Sequence, residues 1–217
     1  IAEVIAPLVI FDGSELHNLK FDMKAIKEDF DFDLGFDNIK SGPFDLPITH
    51  IYGEQRDKDL YLNFNAIHNG EYFLSLPSIL SGTSEELRLH VPPEDIILNG
   101  EQWHIPISNE VRINKEELVF KDFVFSKGNN SVSYTNDLIE TEDAQVAVSF
   151  SNFNIKEILN YLNPEETFAE GELNGSFALI NPFKTPGIIA DLAISNLSVF
   201  NSDLGVLCLN AESIGTD

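Results

Sequence analysis

The chain has 217 residues, 43% of them apolar and 17 of them phenylalanine, which is far too apolar for a disordered acidic segment. Its 13 Lys and Arg against 36 Asp and Glu leave a formal charge of −23. That balance excludes nucleic acid as a natural partner, because binding a phosphate backbone requires clustered cations, and it opposes surface docking on anionic headgroups.

Alternation of apolar and polar residues predicts a strand at Val4–Phe11, closed by Asp12-Gly13. Leu19–Ile26 and Phe30–Phe36 follow, with acids opposite the aromatics. After the turn Ser41-Gly42-Pro43 come a short strand at Ile48–Tyr52, a charged loop over Gly53–Asp59 and the clear alternation of Leu60–Ile67. Asn69-Gly70 reads as a tight hairpin turn, leading into a strand with Tyr72, Leu74 and Leu76 on one face. Pro77–Ser84 is expected to break the pattern, before a run at Leu87–Val91 that stops at Pro92-Pro93.

Short strands are predicted at Ile96–Leu98, Trp103–Ile107, Val111–Ile113, Leu118–Phe125, Ser131–Thr135 and Val146–Phe150. Within Leu118–Phe125 the apolar set changes parity, from Leu118 and Phe120 to Phe123 and Phe125, which predicts a β-bulge. One short amphipathic helix is predicted over 154–163. Asn154 is its cap, Glu157 reaches back, Phe153 and Ile158 form a staple, and Ile155, Ile158, Leu159 and Leu162 form its apolar stripe. Pro164 ends it. Gly171–Leu179, Gly187–Ile194, Leu197–Val199 and Leu204–Leu209 complete the series. Strand-turn-strand spacing argues for an all-β, mostly antiparallel fold and not for βαβ units.

Strands apolar on one side need a shared apolar layer. Leu60, Leu62, Phe64 and Ala66; Val146, Val148 and Phe150; Leu173, Phe177 and Leu179; and Ile188, Ala190, Leu192 and Ile194 are expected to line one surface. In a sandwich that surface meets a second sheet. In a groove it stays open and holds acyl chains or detergent, each buried CH₂ contributing about 0.8 kcal/mol. Periodicity alone does not separate the two.

Catalytic signals are poor, and no enzyme activity is expected. Asp29, Asp31 and Asp33 alternate along one strand face, roughly 7 Å apart, but the loop lacks the Gly and Glu of a calcium site, Leu34 and Lys40 standing in those places. His17, His50, His68, His90 and His104 show no zinc spacing. Gly171 and Gly175 belong to no phosphate-binding loop, and Cys208 sits in an alternating strand as a packing residue. Neither a metal nor a cofactor is expected. A single Cys forms no internal disulfide and leaves the redox compartment open. No apolar run is long enough to span a bilayer.

From Ser149 the sequence reads SFSNFNIKEILNYLNP, then GELNGSFAL, PFKTPGIIADLAISNLSV and LGVL. This resembles the TamB family and, more broadly, AsmA-like envelope proteins. Gly171, Leu173, Gly175, Leu179, Pro186, Gly187, Leu197, Leu204 and Gly205 fall on the family's positions. The Trp103 strand and those after it extend the likeness over about residues 94–210. The resemblance implies an elongated, U-shaped β-groove with an apolar interior. It further implies a protein anchored in the inner membrane, reaching across the periplasm to conduct phospholipid toward the outer membrane or to support protein assembly and secretion there, with an outer-membrane barrel as partner. On this view residues 1–217 are a single segment of a repeating groove, cut from a longer chain that carries the membrane anchor. The alternative is a structural or adhesion sandwich that binds protein or glycan through end loops, with Trp103, Tyr52 and Tyr134 exposed; alternation with Ile105 and Ile107 instead places Trp103 in a core.

Overall fold

The computed structural model describes residues 1–26 and 29–213. Almost all of it is antiparallel strand. In chain order the strands are β1 (Ala2–Phe11), β2 (Ser14–Ile26), β3 (Asp29–Phe36), β4 (Asn38–Ser41), β5 (Phe44–Leu46), β6 (Ile48–Arg56), β7 (Asp59–His68), β8 (Glu71–Gly82) and β9 (Leu87–His90). There follow β10 (Ile97–Leu98), β11 (Glu101–Gln102), β12 (Glu110–Ile113), β13 (Leu118–Lys121), β14 (Phe123–Lys127), β15 (Asn130–Thr135) and β16 (Gln145–Asn154). A one-turn helix, α1 (Lys156–Leu159), precedes β17 (Ala169–Ile180), β18 (Gly187–Val199) and β19 (Ser202–Ser213).

The strands form two sheets. The larger runs β13-β12-β9-β8-β7-β6-β3-β2, with β1 and the β4–β5 hairpin on β2 and the β10–β11 hairpin on β8. The smaller is a six-strand meander, β14 to β19 in order. Neither closes into a barrel.

The parity change at Leu118–Phe125 is not a bulge. Asp122 adopts a left-handed φ of 49°, and there the chain leaves the large sheet as β13 and enters the small one as β14. Both halves still face one core, since the Phe120 ring lies 5.9 Å from Phe123 and 5.5 Å from Tyr134. Ser108 Oγ donates to Asp122 Oδ2 at 2.7 Å and braces this corner. A shift of side-chain parity marks a bulge and a change of sheet alike, and only the partner strands separate them.

Other expectations are corrected too. The charged segment Gly53–Asp59 is not a loop: β6 runs on to Arg56, pairing Gly53–Arg56 with Asp59–Leu62 of β7, and only the turn at 57–58 remains. Strand β8 continues through Pro77, which faces Asn63 of β7. On its other side β8 pairs only at Ser75 with β10 and from Ile79 onward with β9, so Pro77 falls in a gap where no N–H is required. A register shift between Ala66 and Ile67 sets Leu74 opposite Ala66 but Tyr72 opposite Ile67, so Tyr72 leaves the face of Leu74 and Leu76. The segment Trp103–Ile107 is not a strand. It makes one bridge, His104 to Ser126, and Ile107 is 78% exposed. Finally, Gly187–Ile194 and Leu197–Val199 are one bulged strand.

The helix is shorter than its pattern, covering only Lys156–Leu159. Asn154 Oδ1 accepts from the Lys156 N–H at 3.1 Å, a turn-type bond one residue before the cap position, which Ile155 occupies without a side-chain bond. Ile158 is exposed, so no staple to Phe153 forms. Glu157 points away from the helix start toward Lys127, Glu157 Oε1 lying 2.7 Å from Lys127 Nζ. Tertiary pairing has overridden the local capping signal.

Candidate functional site

Strand registry decides which side chains share a face. In the small sheet Val146 opposes Leu179, which opposes Ile188; Val148 opposes Phe177, which opposes Ala190. Phe150 and Leu192 both oppose Gly175, and Leu173 opposes Ile194. Residues opposite one another in an antiparallel pair point to the same side. All ten small-sheet residues expected on one surface therefore share one face. Val132 and Tyr134 of β15 extend it one way, and Leu207, Leu209 and Ala211 of β19 the other.

In the large sheet Leu62 opposes Gly53, Phe64 opposes Ile51 and Leu76, and Ala66 opposes Thr49 and Leu74. Leu60 opposes Leu80, beyond which the row continues through Leu89, Val111 and Phe120. In the other direction it passes from Ile51 to Leu34 and Phe21, and from Gly53 to Phe32 and Met23. A side chain at Gly53 would collide with the Phe32 ring, which lies across that glycine. Leu60, Leu62, Phe64 and Ala66 thus sit inside an apolar face that crosses every long strand of the sheet.

The two faces meet at the centre. Val91, Ile96, Trp103 and Ile105 lie between them, packed on Leu76, Leu89 and Val111 of one sheet and on Phe123, Val132 and Phe153 of the other. Trp103 is fully buried, with its ring 5.8 Å from Phe153. It is therefore a core residue and not an exposed aromatic at a loop end. Its indole N–H has no hydrogen-bond partner among the described residues.

A second bridge crosses beside it. The segment 155–168, between β16 and β17, lies over the large sheet. The Tyr161 hydroxyl is 3.1 Å from Thr49 Oγ1, and its ring is 5.9 Å from Phe64. Burial pushes the Tyr161 phenol up, and the Thr49 hydrogen bond partly opposes this. The Asp45 N–H donates to Leu162 O at 2.9 Å, Asn163 Nδ2 to Pro43 O at 3.1 Å, and the Phe44 ring meets Phe168 edge-on at 5.5 Å. Lys127 Nζ joins Glu157 at 2.7 Å and Glu101 at 3.2 Å, 5.4 Å above the Trp103 ring. Burial pulls the Lys127 ammonium down, but hydrogen bonds and charge from Glu157 and Glu101 outweigh it and hold its pKa above the ordinary lysine value.

Away from this pillar the apolar face opens. Phe123 and Val132, beside Trp103, are buried; Val146, Val148, Phe150, Leu173, Phe177, Leu179, Leu192 and Ile194 are half-buried. Ile188, Leu207 and Leu209, farthest out, are exposed. The same gradient runs from Phe64 outward to Val4 of β1. The fold is thus a pair of apolar walls, tied at the middle and open on either side. A cleft of about 250 Å³ lined by Ile139, Asp143, Ile189 and Glu212 lies on the opposite face of the small sheet and is separate from these walls.

The ionisable residues singled out from sequence are dispersed. Asp33 is 3.2 Å from His50, and His68 is 3.3 Å from Glu165. Among the described residues no cluster of three or more His, Cys, Asp or Glu is arranged to hold a metal, and no helix is long and apolar enough to cross a membrane. Cys208 is exposed and not packed, as is all of β19 among the described residues. Sequence reasoning missed Tyr161 and Lys127 as the residues that tie the walls. The only available signal was a tyrosine off the helix's apolar stripe.

Comparison with known proteins finds no family model that matches the chain, and no curated protein or solved structure that matches it.

Proposed function

We propose that this chain is a binding trough for phospholipid acyl chains, with no catalytic role. The observation that carries the reading is the apolar face that crosses β15 to β19 and β13 to β2, buried beside Trp103 and largely half-exposed away from it. A soluble monomer normally exposes only scattered apolar side chains, and a contiguous face beyond a few hundred Å² marks a binding surface. Acyl chains suit it because they need apolar length and no charged partner, whereas a chain of charge −23 would repel anionic headgroups from its outside. In the wider reading, the chain is a segment of an AsmA-like envelope protein that conducts lipid across the periplasm, anchored in the inner membrane and partnered by an outer-membrane barrel. Both the local open face and the resemblance quoted above support that placement. The sandwich alternative expected Trp103, Tyr52 and Tyr134 to be exposed; Trp103 is buried and Tyr134 half-buried, while Tyr52 is exposed.

The test is uptake of a fluorescent diacyl phospholipid by the purified protein, with native mass spectrometry of what co-purifies. Phe177, half-buried between Val148 and Ala190, is the informative position. Phe177→Asp sets a charge in the acyl path while water still reaches it in the empty protein. The expected result is loss of most lipid uptake with little change in melting temperature. Equal uptake by a folded F177D variant, or no uptake by the unaltered protein, removes the trough reading.

A further inference from the structure

We infer that the trough takes zwitterionic phospholipids in preference to anionic ones, and that their headgroups sit in a mouth of mixed charge beside Phe183. The inference rests on the trough reading and adds where the headgroup lies and what charge it carries. Three connections converge at this mouth: 114–117 between β12 and β13, 136–144 between β15 and β16, and 181–186 between β17 and β18. The last two lie at the strand ends opposite segment 155–168, which joins β16 to β17. Lys115, Glu116, Glu142, Asp143, Phe183 and Lys184 line a cleft of about 480 Å³ there. A second cleft of about 170 Å³ shares Glu116 and Phe183 with it and is also lined by Leu118 and Val146. Those two belong to the apolar face: Leu118 packs on the core around Trp103, and Val146 opposes Leu179. The charged mouth is therefore contiguous with the apolar wall, and Phe183, 51% exposed, stands where they join.

The charges at the mouth are of both signs and are not spent on each other. Among the described residues Lys20, Lys40, Arg56, Arg88, Arg112 and Lys127 each pair with a carboxylate, whereas Lys115 and Lys184 pair with none. Both lysines are exposed, as are Glu116, Glu142 and Asp143. A phosphate is held by cations and an ammonium by acceptor oxygens, so a headgroup carrying both satisfies both sets at once. An anionic headgroup gains the lysines but leaves the three carboxylates facing its phosphate with no ammonium between, and like charges at that range repel. Deeper in, no cation takes over this role, because Lys127 over the Trp103 ring is already held by Glu157 and Glu101.

The test is uptake by the purified protein of acyl-labelled phosphatidylethanolamine and phosphatidylglycerol with identical chains, each offered as a tracer in phosphatidylcholine vesicles. The ethanolamine lipid is expected to be taken up about fivefold better at low ionic strength, a margin within reach of a few exposed ion pairs. Salt at about 0.5 M is expected to shrink it. Glu116→Gln with Glu142→Gln is expected to close most of the margin by raising uptake of the glycerol lipid. Lys115→Gln with Lys184→Gln is expected to lower uptake of the ethanolamine lipid by about threefold. Asp33→Asn with Glu71→Gln makes the same change in net charge at exposed sites elsewhere and is expected to alter neither uptake. Equal uptake of the two lipids by the unaltered protein overturns this inference and leaves the trough reading standing, whereas uptake of neither overturns both. A margin unmoved in E116Q/E142Q, or moved as far in D33N/E71Q, assigns the preference to net charge and overturns the mouth. Undiminished uptake of the ethanolamine lipid by K115Q/K184Q overturns it as well.

Discussion

Gly175 shows how tightly one residue is held. Its φ is 110°, and a side chain there would strike the backbone carbonyl of Asp191 on the neighbouring strand. Both the dihedral and the close approach require glycine. Gly175→Ala should therefore cost about 3 kcal/mol in chemical denaturation. Gly70, with φ of 82° in the open β7–β8 turn and nothing near its would-be side chain, provides the comparison. Gly70→Ala should cost only about 1 kcal/mol. Equal losses would show that backbone conformation, not interstrand distance, sets the penalty. In the sequence Gly175 stood out only, with Gly171, as a position of the family resemblance, and the reason for it was not visible. That reason is the Asp191 carbonyl on the neighbouring strand β18, whose approach depends on the register between the two strands.

Among the elements, the cross-tie around α1 decides how the walls are held. Glu157 is buried at 4% exposure, and Lys127 at 21% is its partner. Lys127→Met would leave Glu157 buried beside apolar side chains, a loss of about 3 kcal/mol. Pairing it with Glu157→Leu should recover most of that loss, because removing both charges removes the desolvation problem. The folded-state pKa of Lys127 is raised above its ordinary value. Its contribution is therefore complete below the ordinary lysine range and is lost as pH rises through the raised value. Denaturation across neutral and alkaline pH should show the unaltered protein losing this increment only at high pH, with K127M lacking it throughout. The sequence around α1 carried every local sign of a longer capped helix. The element became one turn because Glu157 pairs with Lys127 of β14, and because Leu162 and Asn163 engage β5 and its turn rather than a further helical turn.

For the whole molecule, charge and topology act in opposite senses. A formal charge of −23 spread over two open sheets is a self-repulsion that folding must overcome. Salt at about 0.5 M shortens the Debye length to a few Å and should raise the melting temperature by several degrees relative to about 10 mM. An unchanged melting temperature would mean that the carboxylates are far enough apart to be solvated independently. The strand pattern was legible along nearly the whole chain, since period-two alternation follows from pleat geometry in any sheet. The residues expected to share a surface do so within each sheet, because registry between strands joined by short turns follows from those turns. Sequence by itself thus determined the all-β class, the antiparallel order and the identity of the apolar face. The tertiary structure decided the rest: the switch of sheet at Asp122, the strand that runs through Pro77, and the bridge of Trp103 and Tyr161. Alternation is a local property of one strand and its neighbours. Whether an apolar face is covered depends on which distant segment arrives on it, and no periodicity encodes that.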